Sequence, residues 1–176
     1  MALLQKKDPC LIVDIGPGQD CTINNIEMHL TGSSEEGGKE YDAHSNGKFE
    51  SKANEQCMQE FFNDKPSDDL NCIILLKSGI LTLNECTFTL NGIQTDTSKI
   101  PCIIVLGGIR DGTKLIMKNC KLKGDELQNE NQTAGVVSVD ADIDIQGTKF
   151  ENFKSGAIML QAKPNNIVNL DRNKIL

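Results

Sequence analysis

The 176-residue chain has no tryptophan, one tyrosine and six phenylalanines. Aromatic platforms on which sugars or bases stack are therefore scarce. It has only two arginines, Arg110 and Arg172, and a net charge of −7, so a phosphate backbone would repel it and no nucleic-acid partner is expected. No apolar run approaches the ~20 residues of a membrane-spanning helix, so no membrane insertion is expected. Residues 1–8 carry a few apolar side chains followed by Lys6 and Lys7, the wrong order for a cleavable signal peptide. The seven cysteines include no Cys-x-x-Cys, which leaves zinc without a sequence signature. What is present, 38% apolar residues, is too much for a disordered chain, and the length suits one domain spanning 1–176.

The charge is concentrated. Segment 33–69 holds ten acids and four bases and accounts for −6 of the −7. It contains Gly37, Gly38, Gly47 and Pro66 and lacks Val, Ile and Leu altogether, so it reads as a long acidic insertion loop. Within it Cys57, Met58, Phe61 and Phe62 fall at i, i+1, i+4 and i+5, the spacing of one face of a short helix that docks on the body.

Outside the insertion the chain repeats. Leu81-Thr82-Leu83-Asn84-Glu85-Cys86-Thr87-Phe88 aligns with 115–122, 143–150 and 168–175, and with an N-terminal copy at 21–28. The first, third and eighth positions are apolar or Cys, and the second and fourth are mostly polar. Each copy follows a second short run, beginning at Cys72, Cys102, Gly135 and Gly156; the first copy fits from Cys10 with a one-residue slip. Short alternating strands joined by Gly, Asn and Asp exclude a helical repeat. The unit is strand, turn, strand, turn, five times over, and like strands stacked on like strands form a β-solenoid. A β-sandwich also uses short alternating strands but does not explain eight positions in register. The expected interior columns are Cys21/Leu81/Leu115/Ile143/Val168 and Ile23/Leu83/Met117/Ile145/Leu170, with Cys86/Cys120/Thr148/Asn173 as an inward turn ladder.

This repeat resembles the pectin-lyase-like right-handed parallel β-helix, over about residues 8–32 and 70–176. Similar repeats occur in carbohydrate-binding and sugar-hydrolase modules, and in intracellular adaptors such as F-box and SHC-binding proteins. The resemblance implies an all-β fold of about five rungs with one insertion, and it raises a carbohydrate-active or carbohydrate-binding domain as the alternative function. The polygalacturonase-like branch carries an Asn-Thr-Asp run, an Asp-Asp pair, a Gly-His-Gly and an Arg-Ile-Lys. The rungs here carry none of them, and Asp68-Asp69 lies in the insertion. Asp140, Asp142 and Asp144 share one outward face and are the best cation candidate, although a solvated polar face is the simpler account. No catalytic residue, cofactor or metal is expected. An odd number of cysteines without a signal peptide suggests reduced thiols and a cytoplasmic setting, cytoskeletal or ciliary assemblies included.

The first-strand runs are apolar on both faces. With one set of residues inward, Ile73, Leu75, Ile103, Val105, Val136 and Met159 point outward, and either the Cys57/Met58/Phe61/Phe62 face or a partner chain should cover them. A lysine at Ile103 is then expected to leave the core intact. The last rung ends at Leu176 with no evident cap, so a partner or a longer chain is expected there. The expected function is a non-catalytic module docking other proteins within a larger assembly.

Overall fold

The computed structural model describes residues 11–16, 18–31, 72–91, 102–107, 112–124 and 133–176. The acidic segment 33–69, with the docking face expected at Cys57, Met58, Phe61 and Phe62, lies outside the described residues.

The described chain forms fifteen strands in five rungs. The first rung is β1 (Leu11–Asp14), β2 (Asp20–Asn24) and β3 (Glu27–Thr31); the second is β4 (Cys72–Ser78), β5 (Ile80–Asn84) and β6 (Thr87–Asn91). The third is β7 (Cys102–Gly107), β8 (Lys114–Lys118) and β9 (Lys121–Lys123), and the fourth is β10 (Ala134–Val139), β11 (Asp142–Gln146) and β12 (Lys149–Glu151). The fifth is β13 (Gly156–Gln161), β14 (Val168–Asp171) and β15 (Lys174–Ile175). Each rung gives one strand to each of three five-stranded sheets, ordered β1-β4-β7-β10-β13, β2-β5-β8-β11-β14 and β3-β6-β9-β12-β15. Every pairing is parallel, so the fold is a parallel β-helix.

Both expected interior columns are present. Cys21 pairs with Leu81, Leu81 with Leu115, Leu115 with Ile143 and Ile143 with Val168, and the Ile23 column runs beside it to Leu170. In the three middle rungs these side chains are wholly buried, while the residues between them are half-buried or exposed. Burying each such side chain is worth about 1.5–3 kcal/mol relative to exposure, and stacking like on like repeats the gain at every rung.

Two strands per rung was one too few. The eight-residue repeat is the end of a β2-type strand, a two-residue turn and the start of a third strand. Its fifth position has positive φ in every rung: Asn25, Glu85, Asn119, Gly147 and Arg172, at 51° to 60°. Asn and Gly suit this left-handed conformation; Glu85 and Arg172 adopt it at a cost of about 1–2 kcal/mol. The eighth position then faces inward from the third sheet as Met28, Phe88, Leu122, Phe150 and Ile175.

The fourth rung departs from the expected alignment by one residue. Ala134, not Gly135, stands opposite Cys102, and Val136 stands opposite Ile104. Gly135 falls in the row of Ile103, where a Cβ would lie 2.4 Å from the Ala157 carbonyl oxygen and 3.1 Å from the Phe150 ring. The row has no room for a side chain at that rung. The slip expected in the first rung is present: Leu11 stands opposite Ile74.

Candidate functional site

The lateral face expected to dock a partner is not open. Ile73, Leu75, Ile103 and Val136 are at most 1% exposed in the free chain, and Ile73, Ile103 and Val136 belong to the same buried cluster as Leu81, Leu83 and Phe88. Val136 shares its row with Ile74 and Ile104 and not with Ile73 and Ile103, so the expected outward column does not exist as one column. Met159 is half-buried, and the Val105 side chain lies outside those described. Strands buried on both faces belong to the body of a parallel sheet. The chain itself covers Ile73, Leu75, Ile103 and Val136, which removes the reason for assigning those four to a partner.

Apart from Ile80 and Ile116, the outward face of the second sheet is polar, and several of its groups bond to one another. Asn84 Nδ2 donates to Asn24 Oδ1 at 2.8 Å. The three acids suggested as a cation site each have a partner of their own. Asp140 pairs with Lys163 at 2.9 Å. Asp142 Oδ1 accepts from the Ile167 N–H at 2.9 Å and from Asn166 Nδ2 at 3.3 Å, which holds the turn into β14. Asp144 Oδ1 accepts from Gln146 Nε2 and Asn169 Nδ2, both at 2.9 Å. The three acids thus make separate structural bonds, and no cluster suited to a metal ion occurs among the described residues.

The sixth repeat position forms the inward turn ladder. Cys120 Sγ donates to the carbonyls of Leu83 at 3.4 Å and Lys118 at 3.5 Å, and Cys86 Sγ bonds in the same way to Ile23 and Asn84. Thr148 Oγ1 donates to the Gln146 carbonyl at 3.3 Å. Small donors are needed here because the turn leaves carbonyls facing the interior, where an unpaired polar group is costly. Cys21, Cys72, Cys86 and Cys120 are free thiols. Burial pushes the Cys120 thiol up from 9.0 to about 11, so it is neutral and a poor nucleophile at physiological pH.

The third sheet presents an outward row of Glu27, Thr87, Lys121, Lys149 and Lys174. Glu151, two residues along β12 from Lys149, bridges two of these lysines; it pairs with Lys149 and sits 3.2 Å from Lys121. The bonds from Lys149 and Lys121 hold its carboxyl below the usual carboxylate range.

The feature that stands apart is the C-terminal end of the prism. β13, β14 and β15 are the last strands of their sheets. Val168, Leu170 and Ile175 continue the interior columns yet are 42%, 48% and 68% exposed, and Leu160, Ile167 and Leu176 are exposed beside them. The alternation marks these residues as core positions, and among the described residues strand edges and apolar side chains share this surface. At the other end Cys21, Ile23, Ile26 and Met28 are half-buried, whereas their counterparts Leu81, Leu83, Cys86 and Phe88 are at most 1% exposed.

No family model matches the chain, and no curated protein or solved structure shows significant similarity to it. The parallel β-helix is therefore the class of protein that the coordinates define, and the pectin-lyase-like resemblance rests on the repeat alone. No helix among the described residues is long and apolar enough to cross a membrane.

Proposed function

We propose that this chain is a non-catalytic structural module, a rigid β-helix that docks other protein chains within a larger assembly. The observation behind the reading is that Val168, Leu170 and Ile175, at core positions of the last described rung, are exposed beside the edges of β13, β14 and β15, a surface that further strands would cover, whichever polypeptide supplies them. Strand edges recruit further strands through main-chain hydrogen bonds, and exposed inward positions supply the apolar area that the added strand covers. Asp140, Asp142 and Asp144 support the same reading, since each is bound up in holding the fold. The free thiols of the turn ladder suit a reducing, cytoplasmic setting.

Hydrogen exchange of the native assembly against the dissociated chain tests this. Amides of β14 and β15 are expected to exchange slowly in the assembly and fast in the free chain. Equal exchange in both states would remove the end face as a docking site.

A further inference from the structure

The third rung carries charge of one sign on its outer surface. In β8 the inward residues Leu115 and Met117 are wholly buried, so Lys114, Ile116 and Lys118 face outward. Round the turn, Lys121 and Lys123 flank the buried Leu122 in the same way. All four outward charges of these two strands are positive, in a chain whose net charge is −7. One rung back, the outward residues Ile80, Thr82, Asn84, Thr87 and Thr89 are uncharged.

The carboxylates one rung on are engaged elsewhere. Asp142 stands opposite Lys114, and Asp144 opposite Ile116. Asp142 nevertheless accepts from the Ile167 N–H and Asn166, and Asp144 from Gln146 and Asn169. Lys121 shares Glu151 with Lys149. Lys114 and Lys118 make no ion pair or side-chain hydrogen bond among the described residues. The exposed Glu85 lies in the turn beside Lys118, to whose carbonyl its N–H donates at 2.9 Å, and its carboxylate pairs with neither lysine.

Resting on the docking reading above for its kind of partner, a protein chain, we propose that Lys114, Ile116 and Lys118 form a second docking strip. Its partner is an extended acidic segment that presents carboxylate, apolar residue and carboxylate at alternate positions. Residues i, i+2 and i+4 of β8 stand about 6.6 Å apart, and one face of an extended peptide has the same period. A segment laid along β8 sets a carboxylate over each ammonium and its apolar side chain on Ile116, which is only partly buried. Ile80, opposite Lys114 and diagonal to Ile116, widens the apolar contact. A nucleic-acid strand matches the charge, but no aromatic side chain stands on this face of β5, β8 and β11 to stack a base. Exposed ion pairs are individually weak, so binding needs both lysines and the apolar contact together, and it falls with added salt.

The test is fluorescence anisotropy of a labelled peptide containing Glu-Thr-Leu-Thr-Glu, titrated with the full chain, with amide NMR shifts locating the contact. Saturable binding that moves the amides of residues 114–118 and weakens several-fold from roughly 0.05 to 0.3 M salt is expected. A peptide with Glu-Leu-Glu-Thr-Thr, the same composition without the alternation, should bind several-fold more weakly. Lys114→Glu with Lys118→Glu should weaken binding by roughly tenfold or more and take up Lys-Thr-Leu-Thr-Lys instead. Lys118→Glu alone, between Asn84 and Gln146, should keep the wild-type melting curve and cost several-fold, as should Ile116→Ser. No binding, or binding that Lys118→Glu leaves unchanged, overturns the proposal. So does equal binding of the two acidic peptides. An oligothymidylate that displaces the peptide and ignores Ile116→Ser means a general polyanion strip, and the acidic segment falls. The edges of β14 and β15 are read separately by hydrogen exchange: protection there beside a strip that binds nothing leaves the docking reading standing and this strip refuted.

Discussion

Thr148 and Asn173, in successive rungs, hold the last turn through one side chain. The Thr148 N–H donates to Asn173 Oδ1 at 2.9 Å, and Asn173 Nδ2 donates to the Ile145 carbonyl at 2.8 Å. Asparagine thus does at the fifth rung what a thiol or hydroxyl does at the second to fourth. Asn173→Ala should cost about 1 kcal/mol for each bond lost. The loss should appear locally, as faster hydrogen exchange at Thr148 with little change in the middle rungs.

Ile103→Lys should now unfold the domain. Ile103 is fully buried within the core cluster, so the variant would bury an ammonium without a partner, at several kcal/mol. Thermal melting checks this; a cooperative transition near the wild-type midpoint would contradict the placement of Ile103.

Glu85 is the costliest residue type in the left-handed turn column apart from Arg172, and its side chain is exposed. Glu85→Asn places at this rung the residue already used at Asn25 and Asn119. It should raise the melting midpoint, by up to about 1 kcal/mol of stability. A lower midpoint would mean that the Glu85 side chain has a role beyond the turn.

Cys120 predicts an alkaline limit. Its thiol titrates near 11 in the fold and near 9.0 when unfolded, so the folded state favours the protonated form. That contribution is complete below the unfolded value and is lost as pH rises from 9.0 through 11. Cys120→Thr keeps the donor, as Thr148 does one rung on, and should remove this part of the alkaline loss in urea melts.

Glu151 predicts an acid limit of opposite sign. Lys149 and Lys121 lower its folded pKa, so its contribution is present above the unfolded carboxylate value and is lost as pH falls through the folded one. Glu151→Gln should be less stable than the wild type at neutral pH and converge with it in acid. An unchanged gap across that range would show that the two lysine contacts add nothing to stability.

The sequence by itself determined the parallel β-helix and the register of its second sheet. Alternation is read by the polypeptide as inside or outside, and the same eight-residue pattern five times over admits one stacking, so Leu81 finds Leu115 and Leu83 finds Met117. The third sheet was harder to read. Its strands are short, and the turn that separates them is set by a positive φ that Glu85 and Arg172 do not advertise. The first sheet was illegible at two points. A run such as Cys72–Leu76 is apolar at every position, so nothing in it says which face is in; three-dimensional packing buried both. The slip at Gly135 sets it opposite Ala157 in the next rung and against the Phe150 ring, contacts between rungs and sheets that no local pattern encodes. The exposure of Val168 and Leu170 likewise has no signature in the pattern, which is that of their buried counterparts; it follows from their place in the last described rung, where no further strand among the described residues lies over them.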